Sequence, residues 1–504
     1  MSKIQKQKKE KFIDNSGNKN PEPKKYKRKN RYPYRLYIPE NLDIDEGLME
    51  VLDRSSYHRD NFIYIAHLIV SIPARLKDYD FERNYGFTPI DKKILSRRIH
   101  NYRDHINILV TNDIIEEGTS YMPGYYSRGL KFTPKYRKKV KGIYITKNTL
   151  IKSITETTNH RDIEAEAKLW YLKQWFNENL RIDIEMTEKF LEIDKELSWA
   201  KIAKERSKKR ISKKQISIEE IVNMGYNMKF IVADKINHRN NLSLTVDKTS
   251  GRFHSPLTQL KSGLRKYVSY DNKKLLGIDI VNSQPLLVSI VLDFENFKKN
   301  EIYKIIAQYN TNHHELNDMD KLSNYNNSTS TMLVNLLKKC SKKKDVQHFK
   351  KAVADGIFYE FFGALLMQKD LLPLEIVNSP KEIRAFAKKA VFTAFFSKVN
   401  DGKWNKYVMA FAKCFPTVTR IFNLIKQGKD AHNTLACLLQ RFESNLVLHE
   451  VCGEINNKYP QIPIFTVHDS IVTTEGNEQI VEETFRKHLQ LKLGVNPQLK
   501  TEEW

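Results

Sequence analysis

Two segments of the chain each carry a single carboxylate inside an apolar, β-prone run. In the first, Leu275-Leu276-Gly277-Ile278-Asp279-Ile280-Val281, the run is broken by Asn282-Ser283-Gln284-Pro285 before a second apolar stretch, Leu286 to Leu292, that suits a buried helix. Asp279 therefore belongs at a strand end. An ionised aspartate is expensive to bury there unless it is paired or bound to a metal, although aspartates also cap strand-to-helix turns. The second segment, Ile462 to Gly476, reads as strand, tight turn, strand, with His468-Asp469-Ser470 at its polar tip. On adjacent strands Asp279 and Asp469 would suit two divalent ions about 3.5 to 4 Å apart, the arrangement that activates a 3′-hydroxyl and neutralises a departing pyrophosphate. Magnesium fits such a site, with manganese as the alternative, because it takes a few carboxylates together with phosphate oxygens and water.

Between the carboxylates lies Ser379-Pro380-Lys381-Glu382, a capping box with proline at the first helical position, followed by Ile383 to Phe396. This predicts a helix. On it Arg384, Lys388, Phe392 and Phe396 recur every four residues and form one slowly winding stripe, two cations and then two aromatic rings. The stripe suits a triphosphate at its cationic end and a stacked base at its aromatic end. An amphipathic helix with its aromatics in the core and its cations at the rim has the same pattern.

The elements that must hold these residues belong to a chain of 504 residues, long enough for two to four domains. Lys and Arg number 85 against 60 Asp and Glu, a formal charge of +25, which suits a phosphate backbone better than an anionic membrane. No apolar run approaches the ~18 to 20 residues that span a bilayer, and no secretory signal is evident, so a cytoplasmic protein is expected. Cys340, Cys414, Cys437 and Cys452 are widely spaced and indicate neither a disulfide framework nor a structural zinc.

Residues 1–40 form a basic arm around Lys24-Lys25-Tyr26-Lys27-Arg28-Lys29, expected to be flexible. Residues 41–150 show helices at Phe62 to Val70 and Leu95 to Val110, then a hairpin through Tyr121 to Phe132 around a Gly-rich turn. Helices followed by a hairpin resemble a winged helix that binds nucleic acid or protein. The helix before the wing bears Lys92, Lys93, Arg97, Arg98, Arg103 and His105. Residues 151–230 read as charged helices, a thumb or a linker, and residues 231–504 hold every strong motif.

The order Asp279, then Arg384-x3-Lys388-x3-Phe392-x3-Phe396, then Val467-His468-Asp469 resembles motifs A, B and C of family A, DNA polymerase I-like polymerases and of the related phage-type single-subunit RNA polymerases. Thr249-Ser250-Gly251-Arg252 upstream is similar to the family's T-x-x-G-R segment, and Leu438 to Ser444 falls where the family has a helix with a glutamine facing the duplex. The resemblance covers roughly residues 230 to 504.

It implies an α+β multidomain fold: a right-hand polymerase, its palm an antiparallel sheet and its fingers and thumb helical, preceded by the winged-helix-like module. It implies metal ligation by Asp279 and Asp469, assisted by the Ile280 carbonyl. Arg384 and Lys388 then meet the incoming phosphates, with Lys388 also protonating pyrophosphate. Phe392, Phe396 and Gln284 meet base and sugar, and Arg252, Gln440 and His468 the primer and template. The partners would be primed DNA and nucleoside triphosphates, and the activity that of a DNA-directed DNA polymerase.

Several positions depart from the family. Phe396 lacks the hydroxyl by which the RNA polymerases sense a ribose, which favours deoxynucleotides. Gln284 is bulky but uncharged where many DNA polymerases place a glutamate gate, and His468-Asp469-Ser470 resembles the RNA-polymerase form of motif C. Ser397 replaces a glycine after motif B, and Lys398 to Gln440 is compact for full fingers, so low processivity is expected. Asp183-x-Glu185 reads as helix surface rather than an exonuclease pair, and proofreading is not expected. A single-subunit RNA polymerase or primase is the alternative, and a catalytically inactive DNA-binding replication initiator the second.

Overall fold

The computed structural model describes residues 34–52, 57–75, 86–118, 128–156, 161–207, 216–238, 242–293, 295, 333, 335–399, 404–426, 433–493 and 498–504. Of the basic arm expected over residues 1–40, residues 1–33 lie outside them, as do the tip of the expected hairpin at 119–127 and residues 208–215; residues 34–39 instead form a strand whose Leu36, Tyr37 and Ile38 are buried in the core. It is a mixed helix and sheet fold whose sheets are antiparallel.

The first part is built around strand β1 (Tyr34–Pro39), helix α1 (Arg59–Arg75), strand β2 (Thr88–Pro89), helices α2 (Lys92–Ser96) and α3 (Tyr102–Thr111), and strands β3 (Ile115–Glu117), β4 (Gly129–Phe132) and β5 (Val140–Ile145). β1 pairs with β5, and β2, β4 and β3 form a second small sheet. The single helix expected over Leu95 to Val110 is two helices. Asn101 adopts φ +52° and breaks the helical path, a conformation that asparagine tolerates better than most residues. Basic side chains expected to face nucleic acid are committed elsewhere. Arg103 forks onto Glu117 at 2.6 and 2.8 Å, Arg98 meets the Tyr64 hydroxyl, and His105 is buried against Asn61 and the Asn101 carbonyl. Lys92, Lys93 and Arg97 are exposed.

Strand β6 (Leu180–Ile182) leads into α4 (Ile184–Ser207), which packs against α5 (Ile218–Asp234). Asp183 accepts the Met186 N–H at 3.0 Å and Glu185 pairs with Lys189, which accounts for both carboxylates as a helix start and a surface ion pair. At the far end of α5 the buried Asp234 accepts the Tyr37 hydroxyl at 3.0 Å and the Arg35 Nε at 2.9 Å, tying β1 to this helix.

The largest sheet is assembled from distant parts of the chain. After the short strands β7 (Thr245–Val246) and β8 (Phe253–His254) come β9 (Val268–Tyr270) and β10 (Lys273–Ile280). Helix α6 (Ser283–Val291) follows β10, its path turned at Asn282, φ +55°. The helical region beyond contains α7 (Lys344–Ala354), α8 (Phe358–Gln368), α9 (Pro380–Phe396), α10 (Lys406–Cys414) and α11 (Pro416–Ile425), followed by α12 (Thr434–Ser444). Phe349, Phe358, Phe395, Phe411, Phe415 and Phe422 form its interior, their rings meeting edge to face, tilted and stacked. Strands β11 (Ile464–Val467) and β12 (Ser470–Thr474), helix α13 (Glu478–Leu493) and strand β13 (Leu499–Glu503) complete the chain. The sheet order is β11-β12-β10-β9-β6, with β13 on the other edge of the upper half of β10 and α13 packed across it.

α9 begins where the capping residues predict. Ser379 accepts the Glu382 N–H at 3.4 Å, but the return half of the capping box is replaced, because the Ser379 N–H goes to the Ile376 carbonyl at 3.0 Å. None of the four cysteines is in a disulfide. Among the described residues no single helix is long and apolar enough to cross a membrane.

Candidate active site

The site grows from β10. Its ladder with β12 sets Asp279 directly opposite Ser470, so that Asp469, one residue earlier, is delivered to the same end of the sheet. Val467 pairs with Ser470, leaving His468 and Asp469 as a two-residue hairpin turn in which His468 takes φ +58° and points its exposed side chain away from the core. Burial and then the neighbouring Asp469 push the Asp279 carboxyl up, while the Ser470 hydroxyl pulls it partly back. The two carboxylates therefore feel one another's charge. Ile280, the last residue of β10, has a buried side chain.

A third carboxylate shares this region. Glu443 on α12 is 1% exposed, and both of its oxygens are used. Arg252 donates to Oε1 through Nη2 at 2.7 Å and Nε at 3.1 Å, and Gln284, in the first turn of α6, donates to Oε2 at 2.8 Å. Burial pushes the Glu443 carboxyl up to about 7; Arg252 and Gln284 pull down and Asp469 pushes up. Arg252 arrives from a tight loop in which Asp247 accepts from the Thr249 and Ser250 N–H groups and the Ser250 hydroxyl. Gly251 takes φ +69° there, which a side chain would strain. Gln440, one turn before Glu443 on α12, is half-buried, and no side-chain hydrogen bond among the described residues joins it to this network.

α9 supplies the facing wall. Its core side is Ala387, Val391, Ala394 and Phe395, all buried, so the stripe of Arg384, Lys388, Phe392 and Phe396 is not the core face of the helix. Along the stripe, the Lys388 ammonium sits 5.7 Å from the Phe392 ring centroid, and Phe392 meets Phe396 edge to face at 5.7 Å. Arg384 donates to Asn282 Oδ1 at 3.2 Å and Glu360 at 2.6 Å, and its guanidinium lies 5.4 Å from the Tyr359 centroid. Asn282 lies two residues past the end of β10 and starts α6, so this contact joins the cationic end of the stripe to the turn that leaves the carboxylate strand. Tyr359, buried on α8, touches Phe392 edge to face, and Asp469 is among the charges that raise its hydroxyl pKa after burial itself.

Of the residues grouped from sequence, Asp279, Asp469, Gln284, Arg252 and Arg384 are linked through Glu443, Asn282 and the strand register, whereas Lys388 is exposed one turn beyond Arg384 and meets Phe392 on its own helix. The sequence reading missed Glu443 and Tyr359. Glu443 lies inside the Leu438 to Ser444 stretch, where a lone acid within an apolar helical run was the available signal; nothing in the sequence marks Tyr359 among its neighbouring aromatics.

Among the described residues no group of three or more His, Cys, Asp or Glu side chains is arranged to hold a metal ion by itself. The mutual repulsion of Asp279 and Asp469 is the property a divalent cation would relieve, and a pair of carboxylates suits an ion that takes its other ligands from phosphate and water.

No protein-family model matches the chain, and no curated protein matches it. Among solved structures it is similar to one described as the POL domain of Pol1 from M. smegmatis in complex with DNA primer-template and dNTP, at 10% identity and a TM-score of 0.39, covering 70% of this chain and 71% of that one. A likeness at that level fixes neither fold nor activity.

Proposed function

We propose that the chain is a template-directed nucleotidyltransferase, a DNA-directed DNA polymerase that extends a primed DNA template with deoxynucleoside triphosphates. The observation that carries the reading is the adjacency of Asp279 and Asp469, delivered by a strand and a hairpin far apart in sequence, with Arg384 tied to Asn282 in the turn that follows that strand. The resemblance of motif order described above supports it. In this reading the large sheet is the palm, α7 to α11 belong to the fingers and the α4–α5 hairpin is the thumb. The helices and small sheet of residues 41–150 form the winged-helix-like module.

The primer 3′-hydroxyl oxygen bonds to the α-phosphorus as the bond to the bridging oxygen breaks, releasing pyrophosphate. Asp279 and Asp469, with the Ile280 carbonyl, would hold magnesium, which when bound neutralises phosphate charge and favours the 3′-alkoxide. Arg384 and Lys388 balance the charge that accumulates on the departing group, with Lys388 as its proton donor. Phe392 and Phe396 offer faces to the incoming base and sugar, and Gln284, braced by Glu443, borders the sugar. Arg252, His468 and Gln440 are assigned to primer and template.

The test is primer extension on a primed DNA template with magnesium or manganese, with dNTPs and rNTPs in separate tubes, comparing wild type with Asp469→Ala. Extension with dNTPs that the variant loses is the expected result. Ser470 after Asp469 and the uncharged Gln284 favour the ribonucleotide alternative, which extension in the other tube would select. No incorporation of either sugar would sink the polymerase reading in favour of a DNA-binding initiator.

A further inference from the structure

β13 places a cation beside the carboxylate strand that no motif points to. Lys500 lies directly across the ladder from Asp279, on the side opposite Ser470, and residues paired in this way share a face of the sheet. Its side chain is 63% exposed and meets Glu502 on its own strand. Glu502 first, and Asp279 after it, favour the charged form of Lys500, while Arg384, from the facing helix, opposes it. Lys500, across the ladder from Asp279, and Arg384, bonded to Asn282 just past the end of the same strand, therefore bring two cations from separate elements to one strand end.

The strand that carries Lys500 is held firmly. The Trp504 N–H donates to the Leu275 carbonyl at 3.0 Å, its indole is buried, and the Arg265 guanidinium lies 5.1 Å from its ring centroid. A Cβ at Gly277 would come within 2.9 Å of the Trp504 Nε1, so glycine two residues before Asp279 leaves the room this ring occupies. An exposed ion pair between residues two apart on one strand adds little to stability. An exposed lysine on a fixed strand across from Asp279, with Arg384 held at the same strand end, suits an anion such as phosphate.

We propose that Lys500 is a phosphate-binding residue that, together with Arg384, grips the polyphosphate of the incoming nucleoside triphosphate. This rests on the nucleotidyltransferase reading for the identity of the nucleotide, whereas the polyphosphate site itself rests on the geometry of β13 and α9. Lys500 neutralises phosphate oxygens on the β13 side while Arg384 does so from the helix.

The test is equilibrium binding of tripolyphosphate and of a fluorescent deoxynucleoside triphosphate to the full chain, alongside the nucleotide KM in primer extension. The variants are Lys500→Ala, Lys500→Arg and, as a control on the exposed far end of β10, Lys273→Ala. Lys500→Ala is expected to weaken both ligands and raise KM about tenfold, the scale of one charge-assisted contact, with kcat and primer-template affinity little changed. Lys500→Arg recovers most of the loss and Lys273→Ala causes none. Unchanged tripolyphosphate affinity in Lys500→Ala, or a loss confined to primer-template binding, overturns the proposal even if the wild type extends primers. Lys500-dependent tripolyphosphate binding by a chain that extends nothing upholds the phosphate site and removes the polymerase reading.

Discussion

Asp279 lies directly across the antiparallel ladder from Ser470, and that register alone brings it to the residue before, Asp469. A slip of one residue would send Asp279 to the opposite face of the sheet and separate the pair. Their repulsion is maintained by the pairing of β10 with β12, whose backbone hydrogen bonds outweigh it.

Replacing Asp279 with Asn removes one of two repelling charges from a half-buried position. Extension is expected to fall by on the order of 10³-fold, while the thermal midpoint in chelator rises, because the protein no longer confines two like charges. Calorimetry and primer extension on the same preparation check both halves. A midpoint that drops with activity would make Asp279 a structural residue.

Glu443 gives stability a pH dependence of known sign. Its folded pKa of about 7 lies above the ordinary value of 4.5, so the folded state holds the proton more tightly than the unfolded chain. The contribution is fully present below about pH 4.5 and is lost as the pH rises through about 7, a change of ~3 kcal/mol on this shift. Glu443→Gln keeps the shape and removes the titration. Measured without divalent ions, the stability difference should move in favour of the variant between pH 5 and 8; a constant difference would count against the shift.

Asp234 is the anchor of the first part of the chain on α5. Asp234→Ala removes the buried carboxylate on which the partly exposed Arg35 and the buried Tyr37 hydroxyl converge. A loss of about 3 to 5 kcal/mol is expected, as for other broken buried pairs. Denaturant unfolding followed by intrinsic fluorescence measures it. A loss under 1 kcal/mol would show that water replaces the carboxylate.

Local signals were legible wherever chain geometry is periodic. The apolar run around Asp279, the strand-turn-strand pattern around Asp469 and the start of α9 follow from residue types within a few positions, and the structure has those elements there. The stripe on α9 was visible as spacing, but whether it faced the core was not. Its neighbours Val391 and Phe395 took that place, because α10 and α11 bring Phe411 and Phe422 against Phe395, whereas α8 meets the stripe through Tyr359. The helix expected over Leu95 to Val110 failed at Asn101, where one positive φ redirects the chain without disturbing the apolar pattern.

By itself the sequence determined which residues are chemically able to act: isolated carboxylates in apolar strands, cations and rings at four-residue spacing, and a strong excess of positive charge. Tertiary structure alone decided which of them meet. Glu443 joins Arg252 and Gln284 across long stretches of chain, and Lys500 joins Asp279 through a ladder between strands distant in sequence. The physical reason is that periodicity reports only which face of an element is buried. Partners across a sheet or between helices are chosen by strand register and by the packing of distant elements, and neither leaves a trace in local spacing.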